Sequence, residues 1–194
     1  MDFHKKLSGK EVVGALVGAA LIAGLVSVIS GGQESKAPVP QQESKKLDFG
    51  PSIGVPYSQS IKGFEQFGMT LNEAPLNTGE RRMMGQTDQI KALVSLEVMG
   101  EPDSINRVTM MYGAVKDDVA INIGNVTCIA LLFNNVMPEW PGSMKWANVA
   151  VNNLANGSKG EEIVQGNKRV RLTLIKELGM FFLTIEHKDR KEPA

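Results

Sequence analysis

Apolar positions along the chain fall into three regimes. From Val12 to Ile29 no residue carries a charge, and the run is almost wholly aliphatic, alanine and glycine. As a helix it would span about 27 Å at ~1.5 Å per residue, close to the ~30 Å hydrocarbon core of a bilayer. From 31 to 56 the regularity lapses into prolines, glutamines, serines and lysines with neither helical nor alternating period. That composition buries too little surface to offset ordering entropy and reads as a Pro-rich spacer. Regular patterns return from Tyr57 and persist to Lys188.

Within this last stretch both periods are legible. Ser58 or Ser60 is placed to cap a short helix whose Ile61, Phe64 and Phe67 share a face, with Gly68 ending it. Ile90, Ala92, Val94, Leu96 and Val98 alternate with Lys91, Ser95 and Glu97, the mark of a half-buried strand, and Gly100-Glu101-Pro102-Asp103 turns into a second strand through Val108, Met110 and Tyr112. A long helix is expected from Asp118 to Met137, with Val119, Ile123, Val126, Ala130, Phe133 and Met137 as its buried stripe and Gly124, Thr127 and Asn134 on the far side. Pro138 stops it, and Ser143 is placed to cap another helix with Trp146, Ala150 and Leu154 inward. Three strands follow, turning at Gly166-Asn167 and Leu178-Gly179. The fold class expected is α+β: an N-terminal transmembrane helix, then an antiparallel sheet with helices on one face. Stretches of similar rhythm beginning at Gly79 and Gly160 leave open a reading as two α-βββ pseudo-repeats joined at their edges, against chance likeness between glycine-bounded hairpins.

Charge orients the chain. Lys5, Lys6 and Lys10 precede the apolar run, so residues 1–11 are expected to be a cytoplasmic tail, 12–30 a signal anchor, 31–56 the linker, 57–188 an extracytoplasmic domain and 189–194 a frayed tail. The competing reading is a signal peptide cleaved near Val28, Ile29 and Ser30, although the run is long for one and lacks an A-x-A end. Gly14 and Gly18 form a GxxxG that would let two such helices approach and make a homodimer; alanine- and glycine-rich export signals produce the same spacing.

Composition narrows the function classes. The 194 residues hold 21 Lys plus Arg against 21 Asp plus Glu, a balance unlike that of a nucleic-acid-coating protein. One cysteine and two histidines leave no disulfide framework and little material for a metal site, so no metal or cofactor is expected. P-loop, dinucleotide fingerprint, nucleophile elbow and His-Glu-x-x-His are all missing. His187, beside Glu186 and Lys188, reads as a surface residue, and Cys128 as a small buried hydrophobe. No catalytic residue is assigned, and the chain is not expected to be an enzyme.

Alternation puts Lys91, Ser95, Glu97, Arg107, Thr109, Arg169, Arg171, Thr173, Thr184 and Glu186 on the sheet face away from the helices. Cross-strand ion pairs on a solvated face account for that mixture. The sharper reading makes Lys91, Arg107, Arg169 and Arg171 a basic platform for an acidic or extended partner. Trp140, between two prolines, is either a rim anchor of such a platform or a plug folded between the helices. The broad design resembles small extracytoplasmic α+β modules that inhibit or assemble with other envelope proteins, a likeness of fold alone. The function expected is therefore a membrane-tethered, extracytoplasmic protein-binding module whose partners are the membrane, through residues 12–30, and another envelope protein. A cleaved periplasmic or secreted binder or inhibitor is the alternative, and an envelope hydrolase a more distant one.

Overall fold

A computed structural model describes residues 50–74, 76–115 and 117–190. The expected cytoplasmic tail, the span 12–30 with Gly14 and Gly18, the spacer up to residue 49 and the residues from 191 onward lie outside the described residues.

The alternating segments pair into one seven-stranded antiparallel sheet. Its strands are β1 (Asn72–Glu73), β2 (Arg82–Gln86), β3 (Val94–Glu101), β4 (Ser104–Gly113), β5 (Glu161–Gln165), β6 (Lys168–Ile175) and β7 (Met180–His187), in the order β1-β2-β3-β4-β7-β6-β5. Helix α1 (Tyr57–Ser60) and a 3₁₀ turn (Phe64–Phe67) precede the sheet, while α2 (Val119–Val136) and α3 (Ser143–Ala155) lie between β4 and β5. Every second strand residue (Val94, Leu96 and Val98; Val108, Met110 and Tyr112; Val170 and Leu172; Phe181, Leu183 and Ile185) joins Phe64, Cys128, Leu132, Phe133 and Leu154 of the helical layer in a single core. The sheet's β3–β4 hairpin is kinked where its register shifts at Met99/Gly100; there Gly100 takes φ 109° and a Cβ would stand 2.6 Å from the amide nitrogen of Asn106.

Several local expectations are corrected. β3 starts at Val94, because Asp88–Lys91 is a turn that leaves Ile90 exposed rather than at the start of a strand. Ile53 and Val55, within the expected linker, are buried: the Ile53 amide donates to the Ile105 carbonyl, and the Ile105 amide to that of Val55. Order also continues past residue 188, because Arg190 is buried instead of frayed. Asp118 caps α2 as expected, accepting from the Ile121 amide at 3.0 Å. Ser143, however, is the first residue of α3 and buried, after Gly142, and makes no side-chain cap.

The largest correction concerns the face of α2. The expected stripe is outward at Val119, Ile123 and Val126; Gly124, Asn125, Cys128, Ile129, Leu132 and Val136 are buried instead, with Phe133. The cause lies in what the first half of α2 meets. There it packs on backbone: Gly124 lies against the Lys91 carbonyl, and Asn125 accepts from the Leu93 amide (2.7 Å) while donating to the Gly113 carbonyl (2.7 Å). Asn122 likewise bonds both backbone groups of Val115. Backbone polar groups at such a contact need amide partners and close approach, which aliphatic side chains cannot offer. By length and composition α2 is apolar enough to cross a membrane, and its inner side is packed on the sheet.

At its other end α2 meets a lysine. Lys168, buried at the start of β6, donates from Nζ to the Val136 carbonyl (2.7 Å) and to Glu139 Oε1 (3.1 Å), placing a cation at the negative end of the helix. Burial pushes the Glu139 carboxyl up, but its own backbone amide and Lys168 outweigh this and hold it below 4.5. Lys168→Met keeps the stem's apolar contacts and removes the donor, so urea unfolding should show a loss of about 1–3 kcal/mol. A carboxyl lowered in the folded state stabilises above its unfolded value, and that contribution fades as pH falls through the folded value. Lys168→Met should therefore also flatten the acid limb of the stability profile.

Candidate functional site

The face opposite the helices is laid out by strand register. Arg82 (β2), Met99 (β3), Arg107 (β4), Glu186 (β7) and Arg169 (β6) form one cross-strand row. Met84, Glu97, Thr109, Thr184, Arg171 and Glu162 form the next, and Ser95, Met111, Phe182 and Thr173 a third. Thr109 and Thr184 bring their hydroxyls to 3.3 Å across the central β4–β7 pair.

Glu186 is the hub of the charged rows. It has no exposed surface, and its Oε1 accepts from Arg169 Nε (3.0 Å), Arg169 Nη2 (2.8 Å) and Arg171 Nη2 (2.6 Å). Arg190 Nε stands 3.9 Å from its other oxygen. The Arg190 guanidinium grips Glu80 through both terminal nitrogens at 3.0–3.1 Å, and Asn106 donates to the same carboxylate. Arg107 pairs with Glu97 at 3.1 Å, Arg82 approaches it at 3.7 Å, and Arg171 approaches Glu162 at 3.9 Å. Buried charges require such partners, since an isolated ion in this setting would cost several kcal/mol.

Of the expected interaction residues, Arg107, Arg169 and Arg171 are brought together on this face. Lys91 is elsewhere, in the turn before β3, with Nζ donating to the Gln66 carbonyl at 3.1 Å. Trp140 is on the helical side, edge-on to Phe133 at 5.7 Å and tilted against Trp146 at 5.7 Å, the position of a plug between the helices. His187, expected at the surface, is buried at the end of β7, where its Nδ1 accepts from the Asp189 amide. Glu80, Asn106 and Arg190 belong to the charged network without having been expected there; four residues along a strand and turn do not bring side chains together as they do on a helix, so the spacing of Glu186 and Arg190 was no signal. Met84, Met111 and Phe182 also belong to the face, and for Phe182 simple alternation with Phe181 and Leu183 sufficed.

Nucleophilic chemistry finds no support at Cys128. Burial pushes its thiol up to about 12. The native protein should leave a disulfide reagent such as DTNB unreacted at pH 8 and titrate one thiol in urea. Above the unfolded thiol's value the unfolded chain sheds a proton that the native state keeps, so stability should fall as pH rises from about 9 toward 12, less so in Cys128→Ala. Among the described residues no group of His, Cys, Asp and Glu is arranged to hold a metal ion. Two shallow grooves lie on the helical side, one polar between Gln59, Lys62 and Asn134, the other lined by Ala130, Phe133, Met137, Trp140 and Met144. No family model, curated protein or solved structure matches the chain.

Proposed function

We propose that the chain is a membrane-tethered, extracytoplasmic module that binds another envelope protein through the sheet face opposite its helices. The observation that carries the reading is the make-up of that face. Half-buried Met111 and Phe182 sit directly opposite each other near one end of the central strands β4 and β7, Met84 lies two strands away, and the threonine and arginine–glutamate rows lie to one side of them. A small apolar patch beside a polar flank, rich in Met, aromatic and Arg side chains, has the composition of a protein interface. Because the arginines are answered by Glu97, Glu162 and Glu186, recognition here rests on the apolar patch and its hydrogen-bonding flank more than on net positive charge.

The tether is read from the sequence: an uncharged run from 12 to 29, three lysines on its inner side and a proline-rich stretch after it. The strand order β2-β3-β4-β7-β6-β5 also supports reading the domain as two helix-and-three-strand units joined at β4 and β7. On this account the chain is a binder and not a catalyst.

A photo-crosslinking residue placed at Phe182 or Met111 in the native cell is expected to give a discrete adduct that the same residue at the exposed Val149 of α3 does not. Equal patterns at all three positions would overturn the face as the contact. The tether is tested separately by intact mass: 21.0 kDa in washed membranes retains the segment, whereas a soluble chain shortened by about 30 residues removes it.

A further inference from the structure

Helix α2 carries no Asp, Glu, Lys or Arg from Val119 to Val136, yet a full side of it faces outward. With Gly124, Asn125 and Cys128 turned to the sheet, Val119, Ile123 and Val126 are 70%, 62% and 53% exposed. Their spacing of four and three residues continues to half-buried Ala130, the stagger of a coiled-coil seam with β-branched side chains. Ile90, 80% exposed, is in the adjoining turn, where the carbonyl of the next residue, Lys91, rests on Gly124. At the far end Ala130 opens into the groove of Phe133, Met137, Trp140 and Met144. A surface helix of a globular domain ordinarily turns charged residues outward, and an apolar patch of this kind marks a contact.

We propose that a second copy of the chain docks here, α2 against α2 in antiparallel sense about a twofold axis passing between Ile123 and Val126. A twofold interface sets one patch against itself, so a charge near the axis would face its own like; α2 has none. The area suits a small contact. Four aliphatic side chains exposing about 100 Å² each give roughly 400 Å² of apolar surface on each copy, the size of a patch that marks a contact and about half of a standard-size interface. The shape is self-complementary as well. Antiparallel pairing about that axis sets Ile123 opposite the partner's Val126 and protruding Val119 over the partner's Ala130, the small residue at the mouth of the groove. A bilayer is the poorer occupant: Asp117 and Asp118 adjoin Val119, and α2 itself carries no cation to meet anionic headgroups.

The test uses the full chain in lipid vesicles, with Ile123→Cys in one tagged pool and Val126→Cys in another; Cys128, buried on the opposite side of the helix, takes no part. Oxidation is expected to give the mixed 123–126 disulfide at several times the yield of Val119→Cys with itself or of a Val149→Cys control. A dominant 119–119 product would mean parallel pairing and overturn the geometry. Mixed-pool yield no higher than that of the Val149→Cys control would overturn the dimer, as would cysteines at 123 and 126 that are shielded from a water-soluble maleimide by lipid without ever linking. Ile123→Asp with Val126→Asp should abolish the disulfide-trapped dimer formed through an added Ile90→Cys while circular dichroism stays unchanged. Survival of the Phe182 adduct in that variant separates this contact from the partner face on the sheet.

Discussion

Glu186→Ala is expected to destabilise the domain by about 3–5 kcal/mol, a fall of roughly 10–20 °C in Tm. The loss comes less from the attraction removed than from what is stranded. Arg169, with a side chain only 23% exposed, would lose both of its hydrogen bonds to Oε1, and Arg190 would keep Glu80 but lose the nearby negative oxygen. Arg171→Ala should cost about 1 kcal/mol, because that side chain is 37% exposed and water screens what remains. Glu186→Gln, which keeps an acceptor oxygen but no charge, should fall between. Urea denaturation of the three variants decides the matter: equal losses for Glu186→Ala and Arg171→Ala would mean that the buried carboxylate is not the hub. A further expectation follows from the same physics. Glu186→Leu combined with Arg169→Met should recover most of the lost stability, since well-packed apolar replacements often match a buried ion pair.

The network changes how the sheet face is to be probed. Charge reversal at Arg169 or Arg171 would set a carboxylate against buried Glu186 and disturb folding before it reported on binding. Met111 and Phe182 are cleaner probes, since neither carries a charge and both are half-buried on the two adjacent strands β4 and β7. An affinity that depends on them and only weakly on salt is what an apolar patch beside neutralised charges should show.

The strands were readable because a sheet with one covered face enforces a strict period of two. Glu97, Arg107, Thr109, Arg169, Arg171, Thr173, Thr184 and Glu186 stand on the face that alternation assigned to them. The same reasoning failed on α2 because hydrophobicity describes burial against side chains, and the first half of this helix is buried against backbone. Small and amide-bearing residues are favoured at such a contact, and Val119, Ile123 and Val126 are left outside. Composition also misled at both ends of the domain. Ile53 and Val55 are two inward residues in a stretch whose prolines and polar residues read as spacer, and Arg190 sits in a run of alternating charge that reads as solvated. The partner that orders Arg190 is Glu80, distant in sequence and unconnected to it by any periodicity.

That reading of α2 has a direct test in Gly124→Ala. In the middle of an exposed helix the exchange would stabilise by up to about 1 kcal/mol, because alanine is the better helix former. Here a Cβ would lie 1.9 Å from the Lys91 carbonyl oxygen and 3.0 Å from its carbon, with the Ala92 side chain at 3.1 Å. The obstacle is backbone in a turn fixed by the Lys91 and Ala92 amides donating to the Asp88 carbonyl, so it cannot swing aside as a long side chain would. The helix must lift instead, and lifting breaks the short bonds from Asn125 to Leu93 and Gly113 one residue away. An overall loss of about 3 kcal/mol or more is expected, with the DTNB reactivity of Cys128 rising as the next inward residue is uncovered. Gly160→Ala is the control: its Cβ would meet only ordinary contact at 3.4 Å, from the Thr173 methyl, and should change stability by less than about 0.5 kcal/mol. If Gly124→Ala proved as mild as Gly160→Ala, the close approach of α2 to the Lys91 turn would be wrong. The outward placement of Val119, Ile123 and Val126, which follows from that approach, would then be wrong with it.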